Sequence, residues 1–222
     1  MVTRVGASAL WDGSGDVAAA AAAAGDAIDL RVAAADGPRW RASGWTPLGP
    51  GVDELVLPLP QATTSADATR ALGRRLAGLL RAGDLVVLSG RLGAGKTALT
   101  QGIASGLGVS GPVTSPTFVL ARVHDGPVPL VHVDAYRLRD AGAPGLELDG
   151  LDLDASLPDS VTVVEWGDGL VEGLADSRLD VHLDRSGPDD DLRMVTVRAL
   201  GLRWSVTAPA RQTQLIPPTL ET

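Results

Sequence analysis

The chain has 222 residues, a formal net charge of −8 and no cysteine. That length suffices for one α/β domain with its own core and some excess at the ends, while the acidic balance argues against unaided capture of a phosphate backbone. Missing thiols exclude a disulfide framework and a thiolate metal site, and the three histidines, His124, His132 and His182, are too few and too scattered for zinc.

Residues 1–62 read as an N-terminal extension with no assignable role, rich in Ala, Gly, Asp and Pro and holding Trp11, Trp40 and Trp45. The apolar run Ala18–Ala24 lies between Asp16 and Asp26 without a basic leader, unlike a signal peptide. No run reaches the roughly 18 apolar residues of a membrane span, so a cytoplasmic location with no membrane partner is expected. The stretch from Leu30 to Pro60 predicts two short strands about a Gly/Pro turn. It faintly resembles the last strands of a GNAT acetyltransferase but is too short to hold acetyl-coenzyme A.

An ordered pattern occupies 63–202, followed by an expected flexible tail at 203–222. Thr64 and Asp67 stand at capping-box spacing, with Asp in place of the usual Glu. Leu72, Leu76, Leu79 and Leu80 then form one apolar helical face that Gly83 is placed to end. LVVLS suits a strand buried on both faces. Leu99, Ile103 and Leu107 predict a second helix ending near Gly108, and TFVLARVH, PLVHVD, VTVVEW, RLDVHL and MVTVRAL predict further strands.

Between the first strand and the second helix, GRLGAGKT (Gly90–Thr97) fits G-x-x-x-x-G-K-[ST], the P-loop. Its glycines let successive backbone N–H groups turn inward around a phosphate, and the helix adds its positive end. Gly90, Leu92, Gly93, Ala94, Gly95, Lys96, Thr97 and Ala98 are therefore the candidate nucleotide-binding residues. Lys96 is expected at the β- and γ-phosphates and the Thr97 hydroxyl at Mg²⁺. Lys96 is also the only lysine among nineteen Lys and Arg. A broad guanidinium would replace a compact ammonium poorly here, and the lack of a second lysine excludes the N-K-x-D loop that reads guanine.

Hydrolysis or transfer needs an acidic metal partner, a sensor of the γ-phosphate and a group that positions the nucleophile. In SPTF, Pro116 stiffens the approach and leaves the Thr117 hydroxyl free for Mg²⁺ or phosphate; a plain strand-entry turn would use the same residues. Asp134 ends LVHVD where a Walker B aspartate sits, or serves as an N-cap for a helix from Ala135. Glu165 and Trp166 end VTVVEW, and two carboxylates at two strand ends would converge on the crevice of an α/β sheet; a solvated loop carboxylate is the alternative for Glu165. His132 is expected to be a packed or surface histidine. Phe118 and Tyr136, the only Phe and Tyr, fall one in each middle motif and suggest packing around a shared site.

GRLGAGKT, VTSPTF, HVDAYRL and VVEWGDGL in this order resemble the TsaE family, the ATPase of bacterial tRNA threonylcarbamoyladenosine biosynthesis, over Thr64–Leu200. The resemblance implies an α/β P-loop fold with parallel and antiparallel strands in one sheet, flanked by helices. It implies ATP and Mg²⁺ as cofactors, and two partners, TsaB- and TsaD-like, that transfer threonylcarbamoyl to the adenosine beside the anticodon, so that tRNA is met only indirectly. By the same resemblance Lys96, Thr117, Asp134 and Glu165 are catalytic, Thr97, Thr117, Asp134 and Glu165 hold metal, and Trp166 lies beside the nucleotide. Tyr136 and Arg137 complete D-x-Y-R, and Glu147 matches an acidic position. The chain departs from the family in Arg91, where aspartate is usual, in the Gly- and Asp-rich stretch after Ala143, and in its extension. The acidic segment 147–159 would dock a partner or form a solvated face, the latter being the simpler expectation. A small-molecule kinase or a nucleotide-binding regulatory module would use the same loop, although RLRDAG is a meagre Arg-rich lid for a kinase.

Overall fold

Two β-sheets organise the chain. The structure, a computed structural model, describes residues 2–5, 8–11, 23, 29–33, 46–47, 54–58, 61–140, 150–185 and 191–204. Glu147, Trp40, Trp45 and the tail beyond Trp204 lie outside the described residues. Contacts divide the chain into two compact units, one of Met1–Gln61 with Thr196–Thr222 and one running from Ala62 to Val195.

The first sheet contains β1 (Val2–Val5), β2 (Ser8–Trp11), β3 (Asp29–Ala33), β4 (Thr46–Pro47) and β5 (Glu54–Pro58), in the order β1-β2-β3-β5-β4. Between Leu30 and Pro60, where two strands are expected, there are three, β3, β4 and β5, and β3 and β5 pair antiparallel with Arg31 opposite Val56. β1 and β2 also pair antiparallel. At four residues each they are too short for periodicity to register in the sequence.

The second sheet contains β6 (Gln61–Thr63), β7 (Leu85–Ser89), β8 (Ala121–His124), β9 (Leu130–Asp134), β10 (Val161–Glu165), β11 (Arg178–Arg185) and β12 (Arg193–Leu200). Their order is β6-β12-β11-β7-β10-β9-β8. β7 pairs parallel with β10 and β11, and β10 pairs parallel with β9, whereas β8 lies antiparallel on β9. This is the mixed α/β sheet expected. Every residue of β9 and β10 is buried, the polar His132, Asp134, Thr162 and Glu165 included.

α1 (Ala66–Ala77) starts one residue later than the capping-box spacing indicates. Ser65, not Thr64, is the N-cap: its side chain accepts from the Ala68 N–H at 3.0 Å, and Asp67 pairs instead with Arg70 at 2.7 Å. The helix also ends before Gly83, because Leu79 and Leu80 donate back three residues to Leu76 and Ala77 and tighten the chain out of the α-helix. Gly83, at φ 91°, completes the turn into β7. The expected strand TFVLARVH is likewise shortened. Val119 and Leu120 both donate to the Pro116 carbonyl, winding Thr117–Val119 into a turn, and the strand begins only at Ala121.

α2 (Lys96–Gly106) packs backbone-close against α1. A Cβ on Gly73 would stand 2.4 Å from the Leu99 carbonyl oxygen, and one on Gly102 would stand 2.1 Å from that of Arg70. Neither backbone atom can move without separating the helices. Gly102→Val is therefore expected to destabilise by about 3 kcal/mol, the upper end for overpacking, and to lower the melting temperature by roughly 6–12 °C. Gly173→Ala, where no atom lies within 4 Å of an added Cβ, is the control and should melt like the parent. Equal melting of the two variants in a thermal scan would show that the helix pair tolerates separation.

Residues 150–159 of the acidic segment contain α3 (Leu153–Ser156) and a 3₁₀ turn over Leu157–Asp159. Leu153 and Leu157 enter the core while Asp152, Asp154 and Asp159 are exposed. Among the described residues no helix is long and apolar enough to cross a membrane.

Candidate functional site

β7 delivers the chain into the P-loop, and α2 leaves from it. Gly90 leaves the strand at φ 131°, a conformation open to glycine, with its Cα face so close to Leu183 that a Cβ would lie 2.1 Å from the Leu183 carbonyl oxygen. Gly95, at φ 105°, is the N-cap of α2 and supplies no side-chain cap, so the first-turn N–H groups are left for an external acceptor. A cavity of about 440 Å³ opens at this point. All of its lining residues fall between Leu92 and Trp166.

Lys96 is buried, with its ammonium donating to the carbonyls of Gly90 at 2.7 Å and Arg91 at 3.0 Å. It also sits 3.5 Å from the centroid of the Trp166 ring, a cation–π contact worth about 0.5–2 kcal/mol. Burial pushes its pKa down to about 8, against the opposing pull of Glu165, Asp134 and Asp168. A polyanion in the loop would add to that pull and favour the charged lysine. Arg91, the departure from the family pattern, contributes its backbone carbonyl to Lys96 and leaves its side chain exposed.

The acidic residues come from sheet register. In the parallel pair β9–β10, His132 lies opposite Val163 and Asp134 opposite Glu165. Side chains two apart in a strand share a face, so His132, Asp134 and Glu165 lie on one side of the sheet. Glu165 is buried: its Oε2 accepts from the Thr97 hydroxyl at 3.0 Å, and its Oε1 lies 2.9 Å from His132 Nε2. It is not a solvated loop carboxylate. Asp134 Oδ2 accepts from the hydroxyls of Ser115 at 2.5 Å and Thr117 at 2.6 Å, and Oδ1 accepts from the Tyr136 N–H at 3.0 Å. Asp134 thus caps the 3₁₀ turn at Tyr136–Asp140 and also lines the cavity.

Successive strand residues normally project to opposite faces, yet Glu165 and Trp166 both line the cavity. Trp166 has φ 61°, a left-handed backbone that costs a non-glycine residue on the order of 1–2 kcal/mol. Its N–H donates to the Leu88 carbonyl at 2.8 Å, and the Glu165 carbonyl accepts from Ala135 at 2.9 Å, so neighbouring segments hold the turn. The result brings the indole beside Lys96 and 5.1 Å from the Tyr136 ring.

Among the described residues no three His, Asp or Glu side chains cluster as a metal cage. Mg²⁺ does not require one: it is commonly held by one or two carboxylates, substrate phosphates and water. The donor set here is all oxygen, and the Thr97 hydroxyl, while donating to Glu165, keeps lone pairs for a cation. The residues fit that ion.

A family model for the threonylcarbamoyl adenosine biosynthesis protein TsaE matches residues 63–194. The chain belongs to the TsaE family. It is 64% identical over 143 residues to the tRNA threonylcarbamoyladenosine biosynthesis protein TsaE of Streptomyces coelicolor, covering 61% of this chain and 93% of that relative. The TsaE protein of Mycobacterium tuberculosis is 56% identical over 128 residues, 55% of this chain and 76% of its own. That of Bacillus subtilis is 38% identical over 146 residues, 65% of this chain and 87% of its own. The crystal structure of YdiB from Bacillus subtilis superposes with a TM-score of 0.53 at 34% identity, covering 66% of this chain and 88% of YdiB. The TsaE match begins at residue 63, so β1–β5 lie outside it.

Within this TsaE chain, Leu92, Gly93, Gly95, Lys96, Thr97 and Ala98 line the cavity; Gly90 and Ala94 do not. Gly90 offers its carbonyl to Lys96, and Ala94 is buried. Thr117, Asp134, Glu165 and Trp166 line the cavity too, with Tyr136. Arg137 is exposed and is not among the lining residues. The two middle motifs do share the cavity, through Thr117 and Tyr136, but Phe118 itself is 88% exposed, because the turn after Pro116 directs Thr117 to Asp134 and its neighbour to solvent. Two residues were missed by the sequence reading. Ser115 shares the Asp134 carboxylate, and His132, buried as its packed reading has it, also bonds Glu165. The signal for His132 was present, since it stands two residues before Asp134 in one strand and so on the same face.

Proposed function

We propose that this chain binds Mg–ATP in the cavity and hydrolyses it within the machinery that makes threonylcarbamoyladenosine beside the tRNA anticodon. The observation that supports this reading most is the convergence, on one cavity, of an uncapped helix N-terminus, a buried lysine and two strand-end carboxylates held by hydroxyls. Lys96 and the first-turn N–H groups of α2 would hold the phosphates, and Thr97 with Asp134 would hold Mg²⁺. When bound, the metal supplies charge neutralisation on the phosphate oxygens. Thr117, tied to Asp134, senses the terminal phosphate. Glu165 accepts the hydrogen bond that orients water, and the indole of Trp166 shields the lysine from solvent.

The chemistry is assigned to the 63–202 domain, with none in 1–62 or in 203–222. The phosphate backbone supplies most non-specific nucleic-acid affinity to basic proteins, and this chain carries a net charge of −8. We therefore place tRNA at a remove, reached through TsaB- and TsaD-like partners in the cytoplasm, with ATP hydrolysis driving a conformational step. Depleting the protein in its own cells should lower threonylcarbamoyladenosine in total tRNA, read by nucleoside mass spectrometry. The parent gene should restore it, and a Lys96→Ala copy should not. Normal levels of the nucleoside after complete depletion would sink the pathway assignment.

A further inference from the structure

Glu165 is bonded at both oxygens, and only one of the two partners, Thr97, belongs to the P-loop. The other, His132, is wholly buried in β9 and is not among the residues that line the cavity. A carboxylate can only accept, as Glu165 Oε2 does from the Thr97 hydroxyl, so the 2.9 Å contact at Oε1 calls for the imidazole proton on Nε2. Nδ1 has no hydrogen-bond partner, as suits a bare lone pair in that tautomer. The ring beside it, His124, lies 6.3 Å away between centroids and also bonds nothing through its Nε2.

A glutamate has three side-chain torsions, and its terminal torsion is soft and two-fold. Thr97 alone would leave the carboxylate free to turn about that one contact. Pinning Oε1 from beneath fixes its plane and keeps Oε2 at the P-loop. We propose that His132 is a positioning residue, donating from Nε2 to Glu165 so that the second oxygen is held where the terminal phosphate and its attacking water would be. This rests on the ATPase reading above, and its consequence is specific. Removing the donor should slow turnover without weakening nucleotide binding, whereas a histidine that merely fills the core would give a fully active protein once its volume is restored.

Two substitutions in the full chain separate the cases. His132→Leu restores apolar volume without a donor, and His132→Gln places an amide N–H close to the position of Nε2. With partner proteins present, His132→Leu should lose turnover by about tenfold or more while KM for ATP stays within about threefold, and His132→Gln should recover most of that loss. Turnover in His132→Leu equal to the parent's, or His132→Gln as slow as His132→Leu, would overturn the proposal. Long-range ¹H–¹⁵N NMR on the labelled parent reads the tautomer directly, whether or not the leucine variant folds. Protonation at Nε2 is expected, and protonation at Nδ1 alone would overturn it. A parent without ATP hydrolysis in the presence of its partners would sink the ATPase reading, while the tautomer would still decide whether His132 donates to Glu165.

Discussion

Lys96→Ala is expected to bind Mg–ATP at least about tenfold more weakly than the parent by calorimetry, a loss of about 1.4 kcal/mol or more. The ammonium is the buried cation at the mouth of the uncapped α2 helix, held by two loop carbonyls and the Trp166 ring. Those contacts hold the side chain in place before any ligand arrives, so little rotamer entropy remains to be lost on binding. Lys96→Arg should bind nearly as weakly. With Nζ at 2.7 Å and 3.0 Å from two carbonyls and 3.5 Å from an indole centroid, a planar guanidinium has no room without displacing the loop or Trp166. Unchanged ATP affinity in Lys96→Ala would remove the lysine from the phosphate site, and full affinity in Lys96→Arg would show that charge alone suffices.

Glu165→Gln is expected to lower partner-stimulated phosphate release by about a hundredfold or more, in line with the loss of one preorganised electrostatic group, while ATP affinity stays within about threefold. The amide keeps the volume, and its oxygen can still accept one of the two hydrogen bonds now made from His132 and Thr97. What it loses is the negative charge, whose effect grows only as charge develops in the reaction. Thr117→Ala should fall in the same class, since it strips one of two hydroxyls from Asp134 and leaves the P-loop untouched. Measuring single-turnover phosphate release beside equilibrium binding separates the two quantities. A Glu165→Gln protein that turns over like the parent would remove that residue from the hydrolysis set. Weakened binding with unchanged turnover would instead make it a ligand-holding residue.

Local chemistry was legible in the sequence because each such feature is written in a few adjacent residues. GRLGAGKT reads as a phosphate loop from its glycines and its lysine, and LVVLS reads as a buried strand from its unbroken apolar run. The end of α2 near Gly108 follows from the 3.6-residue period of Leu99, Ile103 and Leu107. Boundaries set by competition between near neighbours were not legible: Ser65 displaced Thr64 as the cap, and Pro116 wound Thr117–Val119 out of its strand. The assembled site depended on tertiary structure for a further reason. Strand register decides which side chains share a face, and nothing within LVHVD or VTVVE specifies that Asp134 stands opposite Glu165 or that His132 reaches it diagonally. The left-handed turn at Trp166 is likewise held by carbonyls and N–H groups of Leu88, Ala135 and Glu165, which come from three separate segments. Sequence alone thus determined the loop and which residues carry acid, base and hydroxyl groups; only the folded sheet decided which of them meet.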